Sequence, residues 1–495
     1  MRTKFVLMAL ALAMGACGAA AQGGVSYLVC YAAAGGPTIS VAIEAAPRPA
    51  ASVRHFVMPR AVPMGYSQQP YDNFVRNVRA WSREGKQLEV ARGEGPRWRI
   101  GTESETLGRV EYEVDLRAME AGLRAGGDSS RVREGYAYLL GYSLLGYLDG
   151  DEDRATRVTF TGPADWQVCT TLAPAAPCAK GSVTARAANF YALADSQVVM
   201  GPRATFARVR SNAGAPLYVA VYAEFDVDRE RIAAVAREAY ERMVAYFATE
   251  PFPHYTAVFE FLTPVSPEHT YGFSMEHLES ATFCLGPDRA LKAQSTEREA
   301  NAFRVNVAHH MAHAWVPKRA YGQGYFPFTW EVAPAHDSIW FSEGFGQYAA
   351  IDAIADGMPA ERRVAYLESV LELRFRSTLR EMPAFLLEMP LVELSHRGSY
   401  VYSEDFRVGR TLFSRGGLMA AEMDARIREK TQGGKRLRDA LRHLMAWSAK
   451  NRRAFQIEEL PVIFQEATGV DTRDILPKWL GPVRPGMVPA APARP

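Results

Sequence analysis

Two histidines four residues apart, His309 and His313 in the run Ala308-His-His-Met-Ala-His-Ala-Trp315, are the residues of this chain best suited to chemistry. Residues four apart stand on one face of a helix, and two imidazoles side by side supply two ligands of a tetrahedral zinc. A carboxylate follows: Glu343, in Trp340-Phe-Ser-Glu-Gly-Phe345, lies 30 residues after His313 near the start of a second apolar segment. A buried carboxylate needs a partner, and a metal held by the two histidines is one. Core or surface histidines also fall four apart, so the spacing leaves open a purely structural protein without metal.

The elements that must position these residues are legible in part. Thr296 with Glu299 forms a capping box, and the helix it opens is predicted to run to Pro317, with Phe303, Val307, Met311 and Ala314 as one stripe and the histidines opposite. Upstream, Asp228 caps a helix carrying Ile232, Val235, Ala236, Ala239, Met243 and Phe247 at helical spacing, ending before Pro251. From Val25 to about Phe225 the chain instead shows short alternating or β-branched runs, such as 110–116 and 217–222, between Gly, Pro and Asp turns. Helices are expected to dominate from there to the C-terminus.

Composition limits the function classes. Lys plus Arg number 57 against 55 Asp plus Glu, with no long run of one sign to track a phosphate backbone, so a nucleic-acid partner is not expected. Arg2 and Lys4 precede an apolar run from Phe5 to Ala16 and a small-residue site at Ala19-Ala20-Ala21, which reads as an export signal cleaved near Gln22. Beyond it, no apolar stretch is long enough to cross a bilayer. Met14-Gly-Ala-Cys17 loosely resembles a lipobox, which makes Cys17 a candidate lipid anchor. In the oxidising compartment this implies, Cys169 and Cys178 flank a Pro/Ala-rich stretch and are expected to pair, with buried thiols as the alternative.

The run HHMAHAWVPKR followed by WFSEGF resembles the zinc site of the glycyl aminopeptidase family, gluzincin metallopeptidases with a thermolysin-like catalytic domain, whose usual motif is His-Glu-x-x-His-x-Trp followed by Trp-x-x-Glu-Gly. Three further segments carry the likeness. Tyr271-Gly-Phe-Ser-Met-Glu-His277 resembles the family's Gly-Gly-Leu-Glu-His segment with one residue more; 411–444, with FSRGG, resembles its Tyr-Tyr-x-Lys-Gly helix; and MPRAVPMGYSQQPYDNFVRNV resembles its β-domain entry. With the export signal at 1–21, the β-rich segment at 22–225 and the Pro-rich tail at 482–495 read from the residues, the resemblance implies a multidomain α+β protein whose remaining parts are a thermolysin-like zinc-site domain at 226–360 and a helical domain at 361–481. It implies His309, His313 and Glu343 as zinc ligands and Glu276 as the residue of a substrate-side loop that holds a peptide's free α-amine.

Two departures bear on activity. Where the family carries a Glu that takes a proton from zinc-bound water, this chain has His310, and where it carries Tyr-Tyr, one of whose hydroxyls steadies the oxyanion, it has Leu412-Phe413. Neither of those two side chains can donate a hydrogen bond. The expectation is an exported zinc-binding relative that binds peptides with a free N-terminus and whose hydrolysis is impaired or lost. The alternative is an active aminopeptidase using His310 as base. His310 could also add a fourth ligand, and Tyr400 or Tyr402 could return a hydroxyl to the site.

Overall fold

The computed structural model describes residues 24–33, 36–47, 54–62, 64–123, 127–173, 176–326 and 328–489. The expected signal peptide, Cys17 and the last six residues of the Pro-rich tail lie outside them. The first two hundred residues build three sheets of seven, five and four strands. In the seven-stranded sheet Val25–Tyr31 alternates buried and half-buried side chains, as a strand with one face on a core must, and pairs antiparallel with Thr38–Glu44 and parallel with Thr156–Thr161. Cys169 and Cys178 stand directly opposite each other on neighbouring strands and are bonded, while Cys30 and Cys284 are free.

A further five-stranded sheet carries the centre of the molecule. Its strands run in the order Thr205–Val209, Leu217–Ala223, Tyr255–Phe261, Ser280–Leu285 and Gly272–Glu276. The middle three are parallel, and the helix Arg229–Phe247, capped by Asp228 as the sequence predicts, connects the first two of them. Tyr255–Phe261 and Ser280–Leu285 are buried along their whole length, as parallel strands covered on both faces are. Two expectations are corrected here. Leu217–Ala223, read as the last strand of the β-rich segment, belongs to this sheet, because a continuous apolar run records burial but not which neighbour provides it. Gly272–Glu276, read as a loop, is the antiparallel strand at the sheet's edge.

The histidine helix Glu297–Ala312 starts at the predicted capping box, with the Thr296 hydroxyl accepting from Glu299 N–H and the Glu299 carboxylate accepting from Thr296 N–H. It stops earlier than Pro317. Ala314 and Trp315 bond back three residues, to the carbonyls of Met311 and Ala312, which tightens the last turn and leaves His313 as the C-cap residue. His313 keeps right-handed helical dihedrals, so its ring still follows His309 on the same side. The glutamate helix Ile339–Ala355 is almost wholly buried, and helices fill the chain from Ala360 to Leu480. The architecture is mixed α+β, with a β-rich N-terminal region and a helical C-terminal region, as expected.

Candidate metal centre and cleft

Three ligand atoms converge where the histidine and glutamate helices meet. His309 Nε2 lies 3.2 Å from His313 Nε2 and 3.2 Å from Glu343 Oε2, and His313 Nε2 lies 3.6 Å from the same oxygen. Tetrahedral zinc with bonds of about 2.0–2.2 Å separates its ligands by roughly 3.3–3.6 Å, so the triangle has the size of one face of such a polyhedron. His313 Nδ1 donates to the carbonyl of Val316 at 2.8 Å, which fixes the tautomer that leaves Nε2 free for a metal. Among the described residues the buried Nδ1 of His309 has no hydrogen-bond partner.

Glycine makes this approach feasible. A Cβ on Gly344 would stand 2.4 Å from the backbone of Gly416, so the glutamate helix and the helix Phe406–Lys430 touch through bare backbone next to Glu343. That contact also sets Phe413 with its ring 5.4 Å from His309.

Burial and mutual charge set the protonation of the cluster. Burial, reinforced by the charge of His313, pushes His309 down to about 3. Against the same burial, Glu276 and Glu343 hold the proton of His313 and raise it to about 9. Glu343 falls below the usual carboxylate range, because His313 outweighs the desolvation that opposes it. One positive charge thus sits between two buried carboxylates, and a divalent metal in its place answers the same need.

The predicted site residues are brought together. Glu276, at the end of the edge strand, is buried rather than exposed, and its Oε2 lies 3.5 Å from His310 Nδ1. His310 is half-buried and edge-on to Phe283, and among the described residues its Nδ1 makes no hydrogen bond. Ligand atoms of His309, His310 and His313 lie within 4.8 Å of one another, as do those of Glu276, His313 and Glu343. Leu412 is buried away from the site against Gly398, so of the pair only Phe413 faces the cleft. Tyr400 is exposed on the surface. Tyr402 enters the cleft, its ring 5.0 Å from that of Tyr66, and burial with the charge of Glu343 raises its phenol well above the ordinary value.

The cleft has a volume of about 740 Å³, room for a short peptide. Its walls include residues to which the sequence reading assigns no role. Tyr66, from the N-terminal part, reaches in and bonds to Ser342 and Tyr325 at 2.9 and 3.1 Å. Asp128 is buried against it, accepting from Tyr142 at 3.1 Å and Gln69 at 3.4 Å. Asn306 ties the histidine helix to Ser274 of the edge strand at 3.2 Å.

Residues 31–202 match the peptidase M61 N-terminal domain. No curated protein matches the chain. Among solved structures it is similar to an aminopeptidase N family protein from Idiomarina loihiensis, at 19% identity and TM-score 0.78 over 92% of this chain and 76% of that one. It is also similar to an M1 zinc metallopeptidase from Deinococcus radiodurans, at 14% and 0.54 over 94% and 95%. Yeast LTA4 hydrolase is a third, at 11% and 0.52 over 95% and 68%. At such identities the likeness is one of fold. The N-terminal region is thus similar to a peptidase M61 N-terminal domain, and the chain as a whole shares the fold of these aminopeptidase structures around a buried His-His-Glu cluster.

Proposed function

We propose that this is an exported, zinc-binding, metallopeptidase-like protein that holds peptides by their free N-termini and whose own hydrolysis of them is impaired or lost. The observation that carries the reading is an intact ligand triangle, His309, His313 and Glu343, beside two altered catalytic positions. A zinc held there would supply Lewis acidity to a peptide carbonyl. The residues around it do the rest. Glu276 offers a buried, desolvated carboxylate to an ammonium, a charge-assisted hydrogen bond stronger than a neutral one. His310, where proton transfer belongs, is turned toward Glu276, and an imidazole beside a divalent cation is a weakened base. Phe413 presents a bare ring where a donor to the oxyanion belongs.

One observation favours the alternative of a working aminopeptidase: the Tyr402 hydroxyl lines the same cleft and is a donor of the kind Phe413 lacks. Zinc content, with turnover of N-terminal Gly and Ala amides by the wild type and His310→Glu, separates the readings. Little turnover by the zinc-loaded wild type is expected. Efficient hydrolysis abolished by His310→Ala would overturn the impaired reading and make His310 the base. A chain purified without chelator that carries no zinc would leave the metal-free structural envelope protein. Export is tested by N-terminal sequencing of the secreted chain, which should begin near Gln22, or at a lipidated Cys17 if the chain is anchored.

A further inference from the structure

The cleft is polarised in charge along its length. At one end stand Glu276 and Asp128, both buried in the cleft lining. The edge strand runs from there back to Gly272, four residues or about 13 Å away. Over Gly272 lies the Arg289 guanidinium: a Cβ on that glycine would stand 3.0 Å from Arg289 Nε. On the opposite wall the histidine helix runs from His309 back to Ala302, seven residues or about 10.5 Å. There the Arg374 guanidinium donates to the Ala302 carbonyl at 3.3 Å.

Arg374 stands on the single π-helical turn of the chain's described residues, Glu372–Arg376, a feature frequent at functional sites. Its neighbours Arg376 and Arg380 pair with Glu372 or Glu368, but among the described residues Arg374 forms no ion pair. A half-buried guanidinium without a carboxylate, facing a cleft, is a receptor for an anion, since its planar fork matches a carboxylate in two hydrogen bonds. Among the described residues Arg289, opposite it, pairs only with the exposed Asp288, at 3.9 Å.

An extended chain advances about 3.3–3.6 Å per residue, so roughly three or four residues span the distance from the acidic end to the two arginines. We infer that the cleft is built for zwitterionic peptides of that length, both ends free, with the amine at Glu276 and the C-terminal carboxylate between Arg374 and Arg289. The peptide then runs antiparallel to the edge strand, from the level of Glu276 toward Gly272. This rests on the reading of Glu276 as the holder of the amine and adds to it the length and the second end of the ligand.

Isothermal titration calorimetry on the full, zinc-loaded chain tests it without relying on turnover. The probes are Ala-Ala-Ala, its C-terminal amide and its N-acetyl form. The free tripeptide is expected to bind about 10- to 100-fold more tightly than the amide. In Arg374→Gln that preference should shrink to within about threefold, while Arg374→Lys keeps part of it and both variants still prefer the free amine over the acetylated peptide. Equal binding of acid and amide by the wild type, or an acid preference undiminished in Arg374→Gln, overturns the inference. Equal binding of the free and acetylated amines instead overturns the reading of Glu276, and absence of binding up to roughly 10 mM overturns both.

Discussion

Restoring the two altered positions should act in sequence, and the structure says which of the paired positions matters. His310→Glu is expected to recover proton transfer, a function typically contributing about 100- to 10,000-fold. It leaves Phe413, whose ring is 5.4 Å from His309, without a hydroxyl. A missing oxyanion donor costs about 100- to 1,000-fold. At 1.36 kcal/mol per factor of ten, the second deficit alone is about 3–4 kcal/mol of barrier. Phe413→Tyr in the His310→Glu background should therefore raise kcat on Gly and Ala amides by about 100-fold or more, acting on kcat more than KM because the donor meets charge that develops only in the transition state. Leu412→Tyr should not do this. Leu412 is fully buried, packed where a Cβ on Gly398 would come within 3.0 Å of it, and the larger ring should cost about 1–3 kcal/mol of stability instead. The assay is steady-state turnover by zinc-loaded protein for the wild type, both single variants and the double. No gain from Phe413→Tyr in that background would refute the argument. Full activity from His310→Glu alone would place the donor elsewhere, and loss of that activity in a further Tyr402→Phe variant would identify it.

Three further outcomes are expected. Protein purified without chelator should carry about one zinc per chain, and His313→Ala, which removes both a ligand and the partner of two buried carboxylates, should lose it; elemental analysis checks this. Reducing or removing the Cys169–Cys178 bond, which closes a short loop, should lower stability by about 2–3 kcal/mol in denaturant titration, and both thiols should resist alkylation in the native protein. Burial, helped by the charge of Glu276 and only partly offset by Tyr142 and Gln69, raises Asp128 to about 6. A raised carboxyl binds its proton more tightly folded than unfolded, so its contribution to stability is full below about pH 4 and is lost as pH rises through 6. Asp128→Asn should therefore gain on the wild type by up to about 3 kcal/mol between pH 4 and pH 7 in urea unfolding, and an unchanged difference across that range would contradict the assignment.

The sequence by itself determined what is local. The capping box of Thr296 and Glu299, the cap at Asp228 and the four-residue spacing of His309 and His313 are set by contacts within a turn or two of chain, so they stand in the structure as read. The resemblance to an aminopeptidase zinc site rests on the same short motifs. Where the helix ends is already less local: His313 rather than Pro317 marks it, because the last carbonyls are satisfied by tighter bonds the pattern does not encode. The sheet to which Leu217–Ala223 belongs, and the strand that carries Glu276, were settled by neighbours far along the chain.

The cleft is wholly a product of the tertiary structure. Tyr66 and Asp128 come from the β-rich region, Glu276 from the edge strand, and Arg374, Tyr402 and Phe413 from the helical region. Asp128 and Arg374 are ordinary in sequence, an Asp among serines and an Arg among alternating charges. What makes them a site is that folding desolvates them in one place, where a carboxylate or guanidinium without water must find a partner in the protein, a metal or a ligand. A one-dimensional pattern records which groups could be charged, and only the packed chain decides which of those charges are left to be answered.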